Sequence, residues 1–386
     1  MKDIIILGAT GSIGSKVLAV IRAHPGEFRV AGLAAGRDRK KLAALGREFP
    51  EASLALGSSE AENGRESLGP SPGGGRFYSG PDGLLRLLAE TPAEVCVAAI
   101  GGTAGLEPTF SAVSRGARLL LANKEVLVSA GRLFLAAARE GGSEILPIDS
   151  EHCAVWQCLE GRDNAEVANI TLTASGGPFR DWPAERLERA TPEEAVRHPI
   201  WSMGKKISVD SATLANKALE VIEAHHLFNL PFEAIRVLVH PQSLVHGLVE
   251  FVDGTQLACL GISDMRQPIS RMLFHPRRLD GGLPRLDLAA GGGLDFAPPD
   301  PERFPLLPAG IRAGQGGDRS AAFFNAANEA AVKLFLARRL SFPGIARAVV
   351  DAMRESEGGD FTRLAEIGET HERAGRLVAK LAESSP

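Results

Sequence analysis

No apolar run in this chain is long enough to cross a bilayer: the longest, such as residues 95–100 and 117–122, fall well short of the ~20 residues a membrane helix needs. A surplus of either charge is also missing. The 43 basic and 47 acidic residues leave a net charge of −4, which makes no electrostatic case for nucleic acid or an anionic membrane as partner. Cysteine is scarce, and Cys96, Cys153, Cys158 and Cys259 lie in apolar contexts without C-x-x-C spacing, as expected of reduced core residues. Histidine-rich zinc patterning and a fixed-period repeat are absent as well. The N-terminus, MKDIIILGATGSIG, begins a buried strand at once and leaves no room for a cleavable leader, so a cytoplasmic location is expected.

What is present is enough chain for two or three domains: 386 residues, 44% hydrophobic and 23% charged, typical of a soluble globular protein. Over the first 150 residues short apolar strands (4–7, 30–34, 95–100, 118–121, 144–148) alternate with helical stretches (13–23, 39–49, 83–89, 106–114, 126–140). That alternation predicts an α/β, Rossmann-like doubly wound parallel sheet. Residues 57–83, rich in Gly, Ser and Pro, form a surface excursion. After Asp149 the pattern becomes α+β, with strands over 170–173, 236–239, 244–252 and 256–262 and a hairpin turn at Asp253-Gly254. A Gly- and Pro-rich linker and a helical C-terminus follow. The expected division is 1–149 for nucleotide binding, 150–275 for catalysis and dimerisation, 276–308 as linker and 309–386 as a helical domain.

Gly8-Ala9-Thr10-Gly11-Ser12-Ile13-Gly14 lies between a predicted strand and a helix, the context of a dinucleotide fingerprint, although its first interval is one residue longer than G-x-G-x-x-G. Glycines there allow a tight turn and close approach of a pyrophosphate to the N–H groups of a helix start. The second strand runs into Gly36-Arg37-Asp38-Arg39-Lys40-Lys41. An acid at this point suits a free ribose 2′-hydroxyl and an arginine a 2′-phosphate; Arg37 comes first with basic company, so NADP is preferred over NAD.

Asp149-Ser150-Glu151 falls at a predicted strand end, where i and i+2 of an extended backbone point to one side and both carboxylates can reach one cation. Asp210-Ser211 resembles an N-cap, and the helix after it presents Asn216, Lys217 and Glu220 on one face. Asp149, Glu151 and Glu220 together suit Mg²⁺ or Mn²⁺, with Co²⁺ as a third candidate, because such ions take oxygen ligands and keep positions for a substrate. Phosphate donors of the right kind occur at Ser175-Gly176-Gly177, Ser211, Asn216 and Lys217, and Asn123-Lys124-Glu125 adds a cation at a strand end. Residues 198–204, with Trp201 and Met203 among polar neighbours, are expected to act as a lid. His225 and His226 continue the Glu220 helix and are expected to be packing or surface residues.

In this order, GATGSIG, LANKE, PIDSEH, SGGPF, HPIWSMG, SVDSATLANKALE and HPQSLVHG resemble the 1-deoxy-D-xylulose 5-phosphate reductoisomerase family across nearly the whole chain. The resemblance implies a metal- and NADPH-dependent homodimeric enzyme that isomerises and reduces a keto-sugar phosphate. It implies Asp149, Glu151 and Glu220 as metal ligands; Ser175, Ser211, Asn216 and Lys217 as phosphate contacts, with His198 also at the substrate; and Lys124 and Ser150 at the substrate's oxygens. Trp201 and Met203 then belong to a flap. The same resemblance implies that Thr10, Gly11, Ser12, Ile13, Gly36, Arg37, Asp38, Asn123, Glu125 and Gly204 contact NADPH. The alternatives are a semialdehyde or homoserine dehydrogenase, which as a semialdehyde enzyme would need an activated cysteine, and a silent NADP-binding sensor, which would need neither the carboxylates nor a lid.

Overall fold

The computed structural model describes residues 1–58, 73–80, 82–201, 203–290 and 292–384, so most of the Gly/Ser/Pro-rich excursion and Ser202 of the expected lid lie outside the described residues. The chain divides into two compact units, one of Met1–Val126, Phe134–Asp149 and Met265–Leu283, the other of Leu127–Leu133, Ser150–Asp264 and Pro284–Pro386.

The first unit is built on β1 (Lys2–Leu7), α1 (Ser12–Ala23), β2 (Phe28–Ala35), α2 (Arg39–Glu48), β3 (Ser53–Leu56), β4 (Phe77–Ser79), α3 (Gly83–Glu90), β5 (Val95–Ala98), α4 (Leu106–Val113), β6 (Arg118–Leu121), α5 (Glu125–Gly141) and β7 (Ile145–Pro147). Its seven strands run parallel in the order β4-β3-β2-β1-β5-β6-β7. Central strands are apolar on both faces because helices cover both: Ile4 to Leu7, Val95 to Ala98 and Leu119 to Leu121 are all buried. Strand order reverses between β1 and β5, and the open end of such a reversal is where nucleotides bind in doubly wound sheets. β3 and β4 escape sequence reading because SLAL and FYS are too short for a periodic signal.

At that reversal the glycines are required. Gly8 has φ +83°, and a Cβ there would meet the Ala99 carbonyl oxygen at 2.4 Å; a Cβ on Gly14 would meet the Gly8 carbonyl at 2.3 Å. Both obstacles are backbone, so neither can give way cheaply. α5 is broken at Ala130 (φ −157°, ψ 34°), and its segment Leu127–Leu133 groups with the second unit.

In the second unit, α6 (Ser150–Leu159), β8 (Val167–Ala174), the single turns α7 (Ala184–Leu187) and α8 (Pro192–Ala195), α9 (Lys205–Ala212) and α10 (Ala215–Phe228) lead into β9 (Ile235–Val239), β10 (Val245–Phe251) and β11 (Gln256–Leu260). The sheet order is β11-β10-β8-β9, antiparallel except for the parallel β8–β9 pair. Asp253-Gly254 makes the β10–β11 hairpin, with Gly254 at φ +84° and the Asp253 carboxylate accepting from Thr255 N–H at 2.9 Å. α11 (Arg266–Leu273) groups with the first unit. Finally α12 (Leu306–Gln315), α13 (Asp318–Leu336), α14 (Phe342–Ala352) and α15 (Ala365–Ser384) pack around a core that includes Phe323, Phe324, Phe335 and Phe342, joined to α9 and α10 through Val209, Ala218 and Ile222.

Two local expectations are corrected. Asp149-Ser150-Glu151 is not the extended end of a strand: β7 stops at Pro147, and Ser150 starts α6, so Glu151 sits in a helical first turn. Asp210-Ser211 is not an N-cap either. Both residues lie in the last turn of α9, and α10 starts only at Ala215, after Leu214 in the left-handed region at φ +58°.

Candidate functional site

The nucleotide-side residues lie at the C-terminal ends of β1, β2 and β6. No side chain caps α1, whose N-cap is Gly11, so its first N–H groups, around Ser12 and Ile13, are available to an anion. Lys41 Nζ donates to the Thr10 carbonyl at 2.6 Å and to Ser15 Oγ at 3.0 Å, placing a cation over the glycine loop. Gly36, Arg37 and Asp38 are exposed where β2 meets α2, and Asp38 Oδ1 accepts from Lys41 N–H at 2.9 Å as the cap of α2. Asn123 is buried; its Nδ2 donates to the Gly102 carbonyl at 3.3 Å, while its Oδ1 has no hydrogen-bond partner among the described residues. A buried orphan acceptor there, with the uncapped α1 terminus, fits a dinucleotide with a donor amide at its reactive end. Glu125 opens α5, and the exposed Gly204 is the N-cap of α9.

The carboxylates occupy the start of α6 and the body of α10. Oxygens of Asp149, Glu151 and Glu220 all lie within 4.8 Å of one another; Asp149 is carried by its peptide bond to the first residue of α6. Each has an ammonium neighbour. Lys124 Nζ is 2.8 Å from Asp149 Oδ2, and Lys217 Nζ donates to Glu151 Oε1 at 2.9 Å and also to Glu220 Oε2. Asn216 Nδ2 donates to the other Glu220 oxygen, and Ser150 Oγ to Glu151 Oε2 at 2.6 Å. Lys217 is only 3% exposed; burial alone would lower its pKa, but Glu151 and Glu220 outweigh that and raise it. The donor set is oxygen-only and over-acidic by one charge, with three carboxylates against two ammonium groups. It therefore fits a hard divalent cation such as Mg²⁺ or Mn²⁺.

Beneath this cluster His152 and Glu223 are buried together. His152 Nδ1 is 3.2 Å from Glu223 Oε2, and its Nε2 donates to the Glu220 carbonyl at 2.9 Å, tying α6 to α10 directly behind Glu151 and Glu220. Sequence reading missed this pair. The signal was there, since His152 follows Glu151 and Glu223 is one helical turn beyond Glu220, but both have the bland look of helix-face residues.

The phosphate-side groups gather around the loop after β8. Gly176 (φ +82°) and Gly177 (φ +70°) turn that loop, and a Cβ on Gly177 would meet Ala212 Cα and the Ser211 carbonyl at 2.8 Å, so the loop lies flat on the α9–α10 turn. Ser175 Oγ is 2.9 Å from His198 Nε2 and accepts from Gly177 N–H at 3.1 Å. His198 Nδ1 accepts from Ile200 N–H at 3.2 Å and Trp201 N–H at 2.9 Å. An atom that accepts two N–H groups carries no proton, so His198 is neutral with its proton on Nε2, which donates to Ser175. Burial lowers its pKa to about 4 in keeping with that assignment. The Ser175 hydroxyl, already accepting twice, is left to donate its own hydrogen to an anion. Trp201 packs near His246, with ring centroids 6.2 Å apart, and Met203 is half-buried. Ser211 and Asn216 flank the α9–α10 turn, half-buried. Lys217, by contrast, is drawn to the carboxylates. His225 stacks on Phe232 at 4.3 Å and His226 Nε2 is 3.4 Å from the buried Asp318, both packing roles. Cys96, Cys153 and Cys158 are buried thiols outside any disulfide, Cys259 is half-buried, and burial pushes Cys96 up to about 12 and Cys158 to about 11, which leaves no activated thiol for a semialdehyde-type reaction at those two positions.

A nucleotide-binding doubly wound sheet combined with an oxygen-only metal cluster and neutral anion donors defines a metal-assisted, dinucleotide-dependent oxidoreductase. Comparison with known proteins narrows this. Residues 4–131 match the 1-deoxy-D-xylulose 5-phosphate reductoisomerase family model, residues 145–228 that enzyme's C-terminal domain model, and residues 260–377 a DXP reductoisomerase C-terminal domain model. The 1-deoxy-D-xylulose 5-phosphate reductoisomerase of Ralstonia nicotianae is 49% identical over 363 residues, 93% of this chain and 92% of its own. That of Pelotomaculum thermopropionicum is 45% identical over 386 residues, 99% and 98% of the two chains. Among solved structures, DOX-P reductoisomerase in complex with NADPH, fosmidomycin and magnesium aligns with TM-score 0.93 at 38% identity, covering 99% of this chain and 98% of that one. The Zymomonas mobilis enzyme in complex with NADPH gives 0.92 at 39%, covering 100% of both. The chain belongs to the 1-deoxy-D-xylulose 5-phosphate reductoisomerase family.

Two outcomes follow from the geometry. A nuclear magnetic resonance titration will show His198 neutral down to about pH 4. Because its folded pKa lies below the unfolded 6.5, its contribution to stability is complete above that pH and is lost as pH falls toward 4; a titration step near 6.5 would refute the tautomer. Second, Lys217→Met strands the buried Glu220 and the partly exposed Glu151 and will destabilise the metal-free protein by about 3 kcal/mol, the low end for a broken buried pair. Added Mn²⁺ will then raise its melting temperature more than it raises the wild type's, and an equal or smaller rise would show that Lys217 does not stand in for cation charge.

Proposed function

We propose that this chain converts 1-deoxy-D-xylulose 5-phosphate to 2-C-methyl-D-erythritol 4-phosphate, the isomerisation and NADPH-dependent reduction of non-mevalonate isoprenoid synthesis, with Asp149, Glu151 and Glu220 as metal ligands. The observation that carries the assignment of the site is the mutual approach of those three carboxylates within 4.8 Å. A divalent metal, when bound, polarises the substrate's carbonyl and neighbouring hydroxyl oxygens, and NADPH supplies the hydride that reduces the rearranged aldehyde.

The chain's own groups do the rest. Ser175, Ser211 and Asn216, with the neutral His198 behind Ser175, bind the phosphate and so fix the carbon skeleton in register. Lys217 balances the charge of Glu151 and Glu220, and would be released toward the phosphate if those oxygens held a divalent cation. Lys124, next to Asp149, steadies negative charge on a reacting oxygen, and Ser150 redirects its hydroxyl from Glu151 to the substrate. Trp201 and Met203 cover the substrate and exclude water, protecting the aldehyde. Thr10, Gly11, Ser12 and Ile13 hold the pyrophosphate; Gly36, Arg37 and Asp38 the adenosine end; Asn123, Glu125 and Gly204 the nicotinamide side. The protein works in the cytoplasm, and as a homodimer, the latter reading supported by the outer edge of β11, unpaired among the described residues, and the exposed Val252 beside it.

With substrate, NADPH and Mg²⁺, the pure protein will oxidise NADPH, seen as loss of nicotinamide absorbance, and a chelator will stop it; no oxidation in the presence of metal sinks the proposal. Glu220→Gln will lower turnover by roughly a hundredfold or more while NADPH still binds. Wild-type turnover would remove Glu220 from the ligand set. In sedimentation the protein will run at twice the mass of its chain, and a monomer at working concentration would exclude the dimer.

A further inference from the structure

Asp210 stands immediately before the phosphate-side Ser211, where a carboxylate is electrostatically unwelcome. It is nonetheless 1% exposed, so its charge must be balanced locally. Its Oδ1 accepts from Asn328 Nδ2 at 2.8 Å and its Oδ2 is 2.8 Å from Lys206 Nζ. Asn328 is fully buried on α13 between Phe324, Ala327 and Ala331, with the equally buried Asn325 one turn before it, and its Oδ1 has no partner among the described residues. An amide that leaves one of its own atoms unmet in an apolar core costs stability relative to a leucine, so packing does not account for it. What it reaches is the turn that presents the phosphate donors. That turn is under constraint: Leu214 holds a left-handed φ of +58°, Thr213 Oγ1 donates to the Asp210 carbonyl at 3.2 Å and accepts from Ala215 N–H at 3.3 Å, and Gly177 presses on Ser211 and Ala212 from the other side.

We infer that Asn328 and Asp210 form a positioning clamp through which helix α13 sets where Ser211, Asn216 and Lys217 present their groups to the substrate phosphate. Neither residue touches the substrate. The clamp rests on the reading of Ser211, Asn216 and Lys217 as phosphate contacts, and the experiment separates the two. Asn328→Ala, the exchange Asp210→Asn with Asn328→Asp, and Ser211→Ala are compared with wild type for KM, kcat, competition by inorganic phosphate, Mn²⁺ affinity and melting temperature. Asn328→Ala will raise KM and weaken phosphate by the same factor, about tenfold, with kcat and Mn²⁺ affinity within about twofold. The exchange restores a carboxylate-to-amide bond across the same gap and will recover most of the KM. A fall in melting temperature with KM and phosphate affinity unchanged makes the pair purely structural and overturns the clamp, as does a folded exchange variant that recovers nothing. If Ser211→Ala raises KM and Asn328→Ala does not, the clamp alone falls. If Ser211→Ala leaves KM unchanged, the phosphate reading falls and takes the clamp with it.

Discussion

Everything around the carboxylates depends on one buried ammonium group. Lys217, 3% exposed, sits between Glu151 and Glu220, the second of which is 1% exposed. Without a counter-charge, two carboxylates brought this close would repel strongly. With it, the repulsion between Glu151 and Glu220 is offset by a shared cation. Lys124 serves Asp149 in the same way. The three carboxylates and two ammonium groups thus form a charge balance that leaves one negative charge over. The buried His152–Glu223 pair, with His152 also donating to the Glu220 carbonyl, ties α6 to α10 behind these carboxylates.

Committing the lysine to the carboxylates has a consequence for the phosphate. On the proposed assignment of the site, its recognition falls first on neutral donors: the Ser175 hydroxyl, oriented by the Nε2–H of an uncharged His198 and by the Gly177 N–H it accepts, with Ser211 and the Asn216 amide. Neutral donors do not compete with a metal ion for charge, and they do not titrate where an enzyme works. The low pKa of His198 belongs to this arrangement, because an imidazolium would lose the two N–H bonds that Nδ1 accepts.

Residue types and spacings made much of this legible beforehand. Lys, Asn, Ser and a carboxylate within one short run, and two acids beside a Rossmann-type strand, can be found without coordinates because chemistry restricts which side chains serve a metal or a phosphate. Backbone state was less legible. Asp149 to Glu151 read as extended because an apolar strand precedes them, yet only two residues separate Pro147 from the start of α6 at Ser150. Asp210 read as a cap because an acid before a serine and an apolar run commonly is one, whereas its partner, Asn328, lies 118 residues on, beyond the reach of any local pattern. β3 and β4 were invisible for a similar reason: they are strands by virtue of pairing with β2, and their composition alone does not require it.

The end of β2 shows how coordinates can decide what composition leaves balanced. Arg37 and Asp38 lie side by side, one suited to a 2′-phosphate and the other to a free ribose. Asp38 is already occupied, since its carboxylate accepts the Lys41 N–H at 2.9 Å as the cap of α2. Such a cap is worth about 1 kcal/mol to its helix, and its anion is further held by the helix dipole. To bind a ribose hydroxyl Asp38 would have to divide that carboxylate between two partners, while Arg37 beside it is exposed and Lys41 Nζ sits over Thr10 at the loop itself. The local field is therefore positive with its nearest acid engaged, which is the environment a 2′-phosphate requires and a bare ribose does not.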